Sequence, residues 1–254
     1  MAIKIAISNQ KGGCGKTTTA ICLAQELIKR DYRVLFIDSD SQCNSTSFYE
    51  AKTDGEATMM DVLCGEEPAE NCIQHTEKGD IIPSDPGLKD AETSIRADER
   101  RFAHLKRSCK NVEDEYDYVI MDTPPNIGVV LKNVLHYTDY IVIPVEESGW
   151  ALSGLMDLAD AIDLARDSNP SLRIAGILTI KTKARTNKSR RIGEFAEKIG
   201  DKIDARRFES KIRETVACTE ALTEFMVPLH VYAPHSTTYH DYEDFTDELL
   251  EGIG

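Results

Sequence analysis

Asn9-Gln10-Lys11-Gly12-Gly13-Cys14-Gly15-Lys16-Thr17-Thr18 follows an apolar alternation, Ile3, Ile5 and Ile7, and precedes a stretch in which Ile21, Ala24, Leu27 and Ile28 recur at helical spacing. A strand, a glycine loop and a helix in that order form a phosphate cradle. Gly12, Gly13 and Gly15 let successive backbone N–H groups turn inward on a phosphate, with the Cys14 and Thr18 backbones in the same turn. Lys16 is placed to reach the outer phosphates and Thr17 to put its hydroxyl on Mg²⁺. The N-terminus of the helix that follows adds its dipole to the attraction.

Outward from the loop, short β-branched runs alternate with longer helical patterns, which predicts a parallel sheet covered on both faces. Strands are expected at Lys4 to Ser8, Val34 to Asp38, Asp80 to Pro83, Tyr118 to Asp122, Tyr140 to Val145 and Ile174 to Thr179. Helices are expected at Thr17 to Lys29, Lys89 to Glu115 with breaks, Leu152 to Arg166 and Ser189 to Ile199. No internal repeat or low-complexity linker divides the 254 residues, so the expected architecture is α/β, a single doubly wound, mostly parallel sheet in one domain.

The longest apolar runs are strand-sized, and the N-terminal stretch lacks the features of a signal peptide, so a soluble cytoplasmic protein is expected. The seven cysteines form no C-x-x-C pair, which gives neither a zinc site nor a disulfide framework support. Formal net charge is −14, against a protein that coats nucleic acid through bulk charge. The distribution is uneven. Asp54 to Asp80 and Asp241 to Glu251 are acidic runs that read as solvated faces, whereas Lys181, Lys183, Arg185, Lys188, Arg190 and Arg191 fall within eleven residues containing no acid.

The loop departs from G-x-x-x-x-G-K-[ST]: Gln10 replaces the first glycine and a second lysine, Lys11, follows it. Downstream come Asp38-Ser39-Asp40-Ser41-Gln42-Cys43-Asn44 and Asp122-Thr123-Pro124-Pro125-Asn126-Ile127-Gly128. Together these resemble the deviant Walker A loop, the D-x-D-P-Q-x-N switch and the Walker B segment of the ParA/MinD ATPases, with Ser41 in place of the switch proline. The likeness is closest to the small ParA/Soj partition type without an N-terminal helix-turn-helix domain.

That resemblance implies an ATPase using ATP and Mg²⁺. Asp40 would orient the attacking water, Lys16 and Lys11 would neutralise the transferred phosphoryl group, and Thr17 would hold Mg²⁺ with Asp122 acting through water. Lys11 would cross to the partner's nucleotide in an ATP-bound homodimer. Non-specific double-stranded DNA and a ParB-like adaptor with a basic segment are the implied partners, giving nucleoid association in the ATP-bound state. Lys181, Lys183, Arg185, Lys188, Arg190, Arg191 and Arg213, with Lys211 nearby, are the candidate DNA contacts.

Other branches fit less well. The guanine motif N-K-x-D is missing, Arg190 standing where its aspartate should be. The acidic C-terminal run is the opposite of a basic membrane-targeting helix. No cysteine lies between Cys109 and Cys218 to hold an iron–sulfur cluster, and Tyr232, Tyr239 and Tyr242 read as partly buried tyrosines rather than a phosphorylation cluster. A metabolic P-loop enzyme of the dethiobiotin-synthetase type, or a ParA relative that positions a protein cargo, remain the alternatives.

Overall fold

The computed structural model describes residues 1–95, 101–146, 152–182 and 205–254. Among these, strands β1 (Ile3–Ile7), β2 (Val34–Asp38), β3 (Gln74–Thr76), β4 (Gly79–Ile82), β5 (Tyr118–Asp122), β6 (Tyr140–Glu146), β7 (Arg173–Thr182) and β8 (Arg207–Arg213) form one sheet in the order β3-β4-β2-β5-β1-β6-β7-β8. Only the β3–β4 pair is antiparallel.

Side-chain alternation along the central strands explains the two covered faces. Ile5, Ile7, Val34, Phe36, Tyr118 and Ile120 point to one side, where α1 (Lys16–Lys29) packs through Ile21, Leu23, Ala24 and Leu27. Ala6, Leu35, Ile37, Val119 and Met121 point to the other, where α2 (Val129–Tyr137) supplies Val129, Val130 and Val134. Helix α3 (Leu152–Arg166) packs on β6 and β7 with Leu155, Leu158 and Ile162 buried. Period-2 burial on the strands and helical spacing on their covers produce a doubly wound sheet with both faces dry.

The C-terminal acidic run is solvated on one side only: Asp244, Asp247 and Glu251 are exposed, and the other side is packed. It belongs to α4 (Thr237–Ile253), an amphipathic helix capped by the Ser236 hydroxyl, which accepts from the Tyr239 N–H. Tyr239, Tyr242, Phe245 and Leu249 recur on one side and are buried against α1 and β8, with Phe245 edge-on to Phe208 at 5.1 Å. Its acids are used locally: Asp247 pairs with Arg30, Glu243 with Lys29, and Asp241 with Arg213. Glu248 accepts from the Glu209 and Ser210 backbone N–H groups at 2.8 and 2.9 Å.

Where a helix with breaks is expected over Lys89 to Glu115, the described residues form short pieces, among them Ala91–Ser94 and His104–Ser108, and Asn133 of α2 accepts from the His104 N–H. The helix expected at residues 189–199 lies outside the described residues. No helix among the described residues is long and apolar enough to cross a membrane.

Candidate nucleotide site

Parallel register brings the carboxyl ends of three strands level. Ile7 pairs with Asp122, and Asp122 with Asp38, so the loop after β1 emerges beside two aspartates. Gly13 and Gly15 take φ of 71° and 73°, in the left-handed region that a side chain disfavours, and this curls the loop over the start of α1. Gly12, Gly13, Gly15, Lys16, Thr17, Thr18 and Asp40 line a single cavity of about 620 Å³. The same cavity is also lined by Ile180, Ile212, Cys218, Leu222 and Met226. Cys14 is buried and does not line the cavity; burial pushes its thiol above the ordinary value, with Lys16 only partly opposing.

The switch segment is tied down by its first aspartate. Asp38, wholly buried, accepts from the Thr46 N–H at 2.8 Å, the Thr46 hydroxyl at 2.7 Å and the Asp40 N–H at 3.1 Å. Asp40 is left at the cavity wall, its Oδ1 accepting from the Gln42 N–H at 3.1 Å. Residue 41 is a serine, and the segment is held through Asp38.

Asp122 Oδ2 accepts from Ser45 at 3.0 Å, whereas the buried Oδ1 has no hydrogen-bond partner among the described residues. Burial and then the charge of Asp38 push the Asp122 carboxyl up, with Thr17, Ser45 and Lys16 pulling it back. Burial likewise pushes Asp38 up against the hydrogen bonds from Thr46 and Asp40. An orphaned oxygen in a buried carboxylate pair next to a hydroxyl fits a hydrated Mg²⁺, which keeps several waters and asks for one or two carboxylates plus phosphate oxygens.

The second lysine points elsewhere. Lys11 Nζ lies 2.8 Å from Glu146 Oε2 at the end of β6, and Lys11 does not line the cavity. Asn9 sets this geometry: its Oδ1 accepts from the Lys11 N–H and its Nδ2 donates to the Pro144 carbonyl.

Of the basic residues expected to meet DNA, Lys183, Arg185, Lys188, Arg190 and Arg191 lie outside the described residues. Arg213 is held by Asp241 through both its backbone N–H, at 2.8 Å, and its guanidinium. Lys211 sits on β8 in register with Thr179. Lys181 points into the phosphate loop, its Nζ donating to the Gly13 carbonyl at 2.8 Å. Residues the sequence did not single out but the site uses are Asp38, Ser45, Thr46 and Glu146; the first lay inside a recognised motif, whereas the hydroxyls and Glu146 carry no spacing signal.

A glycine loop at a strand's carboxyl end, with a lysine, a threonine and a buried aspartate converging on one cavity, defines a P-loop nucleoside triphosphatase of α/β fold. A family model described as an AAA domain matches residues 2–174. The chain is 35% identical over 250 residues to the sporulation initiation inhibitor protein Soj of Bacillus subtilis, covering 96% of this chain and 97% of that protein. It is 32% identical over 251 residues to the chromosome partitioning protein ParA of Myxococcus xanthus, covering 97% and 87%. This chain belongs to the ParA/Soj family of partition ATPases.

Among solved structures it is similar to a Borrelia burgdorferi plasmid partition protein bound to AMPPNP, with a TM-score of 0.84, 25% identity and all of both chains covered. It is also similar to cobyrinic acid a,c-diamide synthase of Mycobacterium smegmatis with bound ADP and magnesium, with a TM-score of 0.84, 26% identity and coverage of 99% and 95%. The chain is an ATPase, and ATP with Mg²⁺ is the cofactor pair its donor set fits.

Proposed function

We propose that the chain, acting as one ATPase unit over residues 1–254, dimerises on binding ATP, binds double-stranded DNA without reading sequence, and is reset by slow hydrolysis that a ParB-like adaptor stimulates. In this role it segregates a plasmid, chromosomal or mobile-element locus, and it is cytoplasmic and nucleoid-associated while ATP is bound. The observation that carries this reading is the placement of Lys11: its ammonium stands on the rim, bonded to Glu146 and outside its own cavity, where a second subunit's nucleotide could take it.

Within each subunit the backbone from Gly12 to Thr18 and the Lys16 ammonium hold the phosphates. The Thr17 hydroxyl and, through water, Asp122 hold Mg²⁺. Bound there, the metal neutralises charge on the outer phosphates. Asp40, at the cavity wall and anchored through Asp38, orients the attacking water, while Lys16 and the partner's Lys11 offset the charge that develops on the transferred group.

The DNA-facing surface is the basic stretch from Lys181 to Arg191, with Arg213 contributing less because Asp241 already neutralises it. If about three phosphates are engaged per subunit, a dimer engages about six, and log K falls with log salt at a slope of about −5. The test is to measure oligomeric state and duplex binding with ADP, with ATP and without nucleotide, in the native chain and with Lys183, Arg185, Arg190 and Arg191 replaced by alanine. Binding that ignores nucleotide, or a quadruple variant that dimerises and keeps the native salt slope, rejects this assignment.

The likeness to cobyrinic acid a,c-diamide synthase favours a second reading, a metabolic P-loop enzyme acting on a small molecule. Absence of any ATP-dependent DNA binding would select it.

A further inference from the structure

The end of β7 is built around the phosphate loop in a way that neither sheet packing nor a DNA contact requires. Between Thr179 and Thr182 the strand advances three residues while β8 advances two, from Lys211 to Arg213, so β7 carries an extra residue there. Bulges are uncommon in parallel pairs and re-aim side chains near active sites. Within this one, Lys181 takes φ 51°, a left-handed conformation that costs a residue with a long side chain about 1 kcal/mol or more and persists only where the surroundings hold it.

Its neighbour Ile180 packs so closely on the loop that a Cβ added to Gly15 would lie 2.5 Å from Ile180 Cδ1. The bulge, the backbone conformation and this contact together swing Lys181 over the loop, where its Nζ meets the Gly13 carbonyl and its side chain lines the same cavity as Gly13, Lys16 and Thr17.

We propose that Lys181 is a nucleotide-binding residue, a lysine that closes the phosphate site from the β7 side. The Gly13 carbonyl is a neutral acceptor, whereas an oxygen of a phosphate bound in the cradle is an anionic one, and the attraction of opposite charges makes it the stronger partner for an ammonium. When a triphosphate enters the cradle, the Lys181 ammonium exchanges Gly13 O for a non-bridging phosphate oxygen. The strained turn is then the means of delivering a cation across the cavity. Lys16 comes from the first turn of α1 and Lys181 from the end of β7, so two cations from separate elements line the cavity that would take the phosphates. Lys181 therefore leaves the set of DNA contacts, and the DNA surface begins beyond it. The inference rests on the ATPase site and not on dimerisation or DNA binding.

The test uses the full chain without DNA. Equilibrium binding of Mg²⁺ with ADP, and of Mg²⁺ with a non-hydrolysable ATP analogue, is measured for the native protein, Lys181→Met and Lys181→Arg, with melting temperatures recorded in the absence of nucleotide. Lys181→Met is expected to weaken the ATP analogue about five- to twentyfold, the loss of one charged hydrogen bond less the bond to Gly13 it replaces. Lys181→Arg should recover most of that loss, and nucleotide-free melting should stay within about 3 °C of native, as for a surface substitution. Should Lys181→Met fail to fold, Lys181→Gln carries the same measurement. Unchanged affinity for the analogue overturns the proposal, as does a loss that arginine does not restore. Since neither DNA nor a second subunit is needed for the readout, failure of the partition reading would leave this result standing.

Discussion

Lys11 Nζ is bonded to Glu146 Oε2 at 2.8 Å, joining the rim of the phosphate loop to the last residue of β6. The pair is between two residues of one subunit, with the lysine side chain 38% and the glutamate 23% exposed, so screening keeps its worth to about 0–1 kcal/mol. If Lys11 serves a neighbouring nucleotide, as proposed, this pair parks it only lightly. Lys11→Ala should leave most monomer ATP binding intact and remove ATP-driven dimers in sedimentation. Glu146→Gln should do the reverse, raising the ATP-dependent dimer constant by up to about fivefold, the equivalent of 1 kcal/mol. A Lys11→Ala protein that dimerises as well as native would mean that the rim lysine has no role across an interface.

Asp40 and Lys16 share a cavity but should fail in different ways. Lys16→Ala removes a charge from the phosphates and should cost nucleotide affinity itself. Asp40→Ala leaves the cradle intact and should lower turnover at least about 100-fold, the lower bound for a positioned acid–base group, while ATP and Mg²⁺ stay bound. Phosphate release followed beside nucleotide retention separates the two. Near-native release by Asp40→Ala would assign the water to another group.

Asp122 and Thr17 should show their effect in the metal. Asp122→Asn keeps the shape of a side chain whose Oδ1 has no partner among the described residues, and it should raise the Mg²⁺ concentration for half-maximal ATPase about 10- to 100-fold. Thr17→Ala should move it in the same direction. An Mg²⁺ titration that superimposes on native would exclude both residues from the metal's shell.

The contact between α1 and α4 carries a pH signature. Burial opposes ionisation of Glu243, yet hydrogen bonds from Tyr239, Lys29 and His240 outweigh it and hold the carboxyl down to about 2, from an ordinary 4.5. Because the folded-state value lies below the unfolded one, Glu243 contributes its stability fully above about pH 4.5 and loses it as pH falls towards 2. Glu243→Gln should therefore melt lower than native at pH 6, with the gap closing through that window. A gap that does not change between pH 6 and pH 3 would show that the charge is not what stabilises the contact.

The loop, the two aspartate segments and the six strands between β3 and β8 were legible because chemistry and period agree there: glycines at a strand end, carboxylates at the ends of buried β-branched runs. In α4 the buried aromatic positions, Tyr239, Tyr242 and Phe245, are spaced among six acids, so charge hides an amphipathic face whose spacing is nonetheless helical. In β8, Arg207–Arg213, alternation is present in Phe208 and Ile212, but the outward charges make it read as loop. β3 is three residues long, too short for any period. The direction of Lys181 is hidden for a different reason: a bulge and a left-handed backbone decide it, and the bulge depends on β8, a strand distant in the sequence.

Glu248 has a consequence for how copies of this protein could associate. Between Ile177 and Thr179 the pairing with β8 slips, and the amides of Glu209 and Ser210 are turned to the Glu248 carboxylate. A neighbouring strand seeking to extend the sheet at that border would have to displace a charged acceptor already satisfying two donors, and would meet a covering helix behind it. At those two amides the sheet is sealed against growth by strand addition. In the proposed cycle, where subunits meet and part with each nucleotide turnover, a border closed to backbone pairing keeps association to the interface that ATP controls.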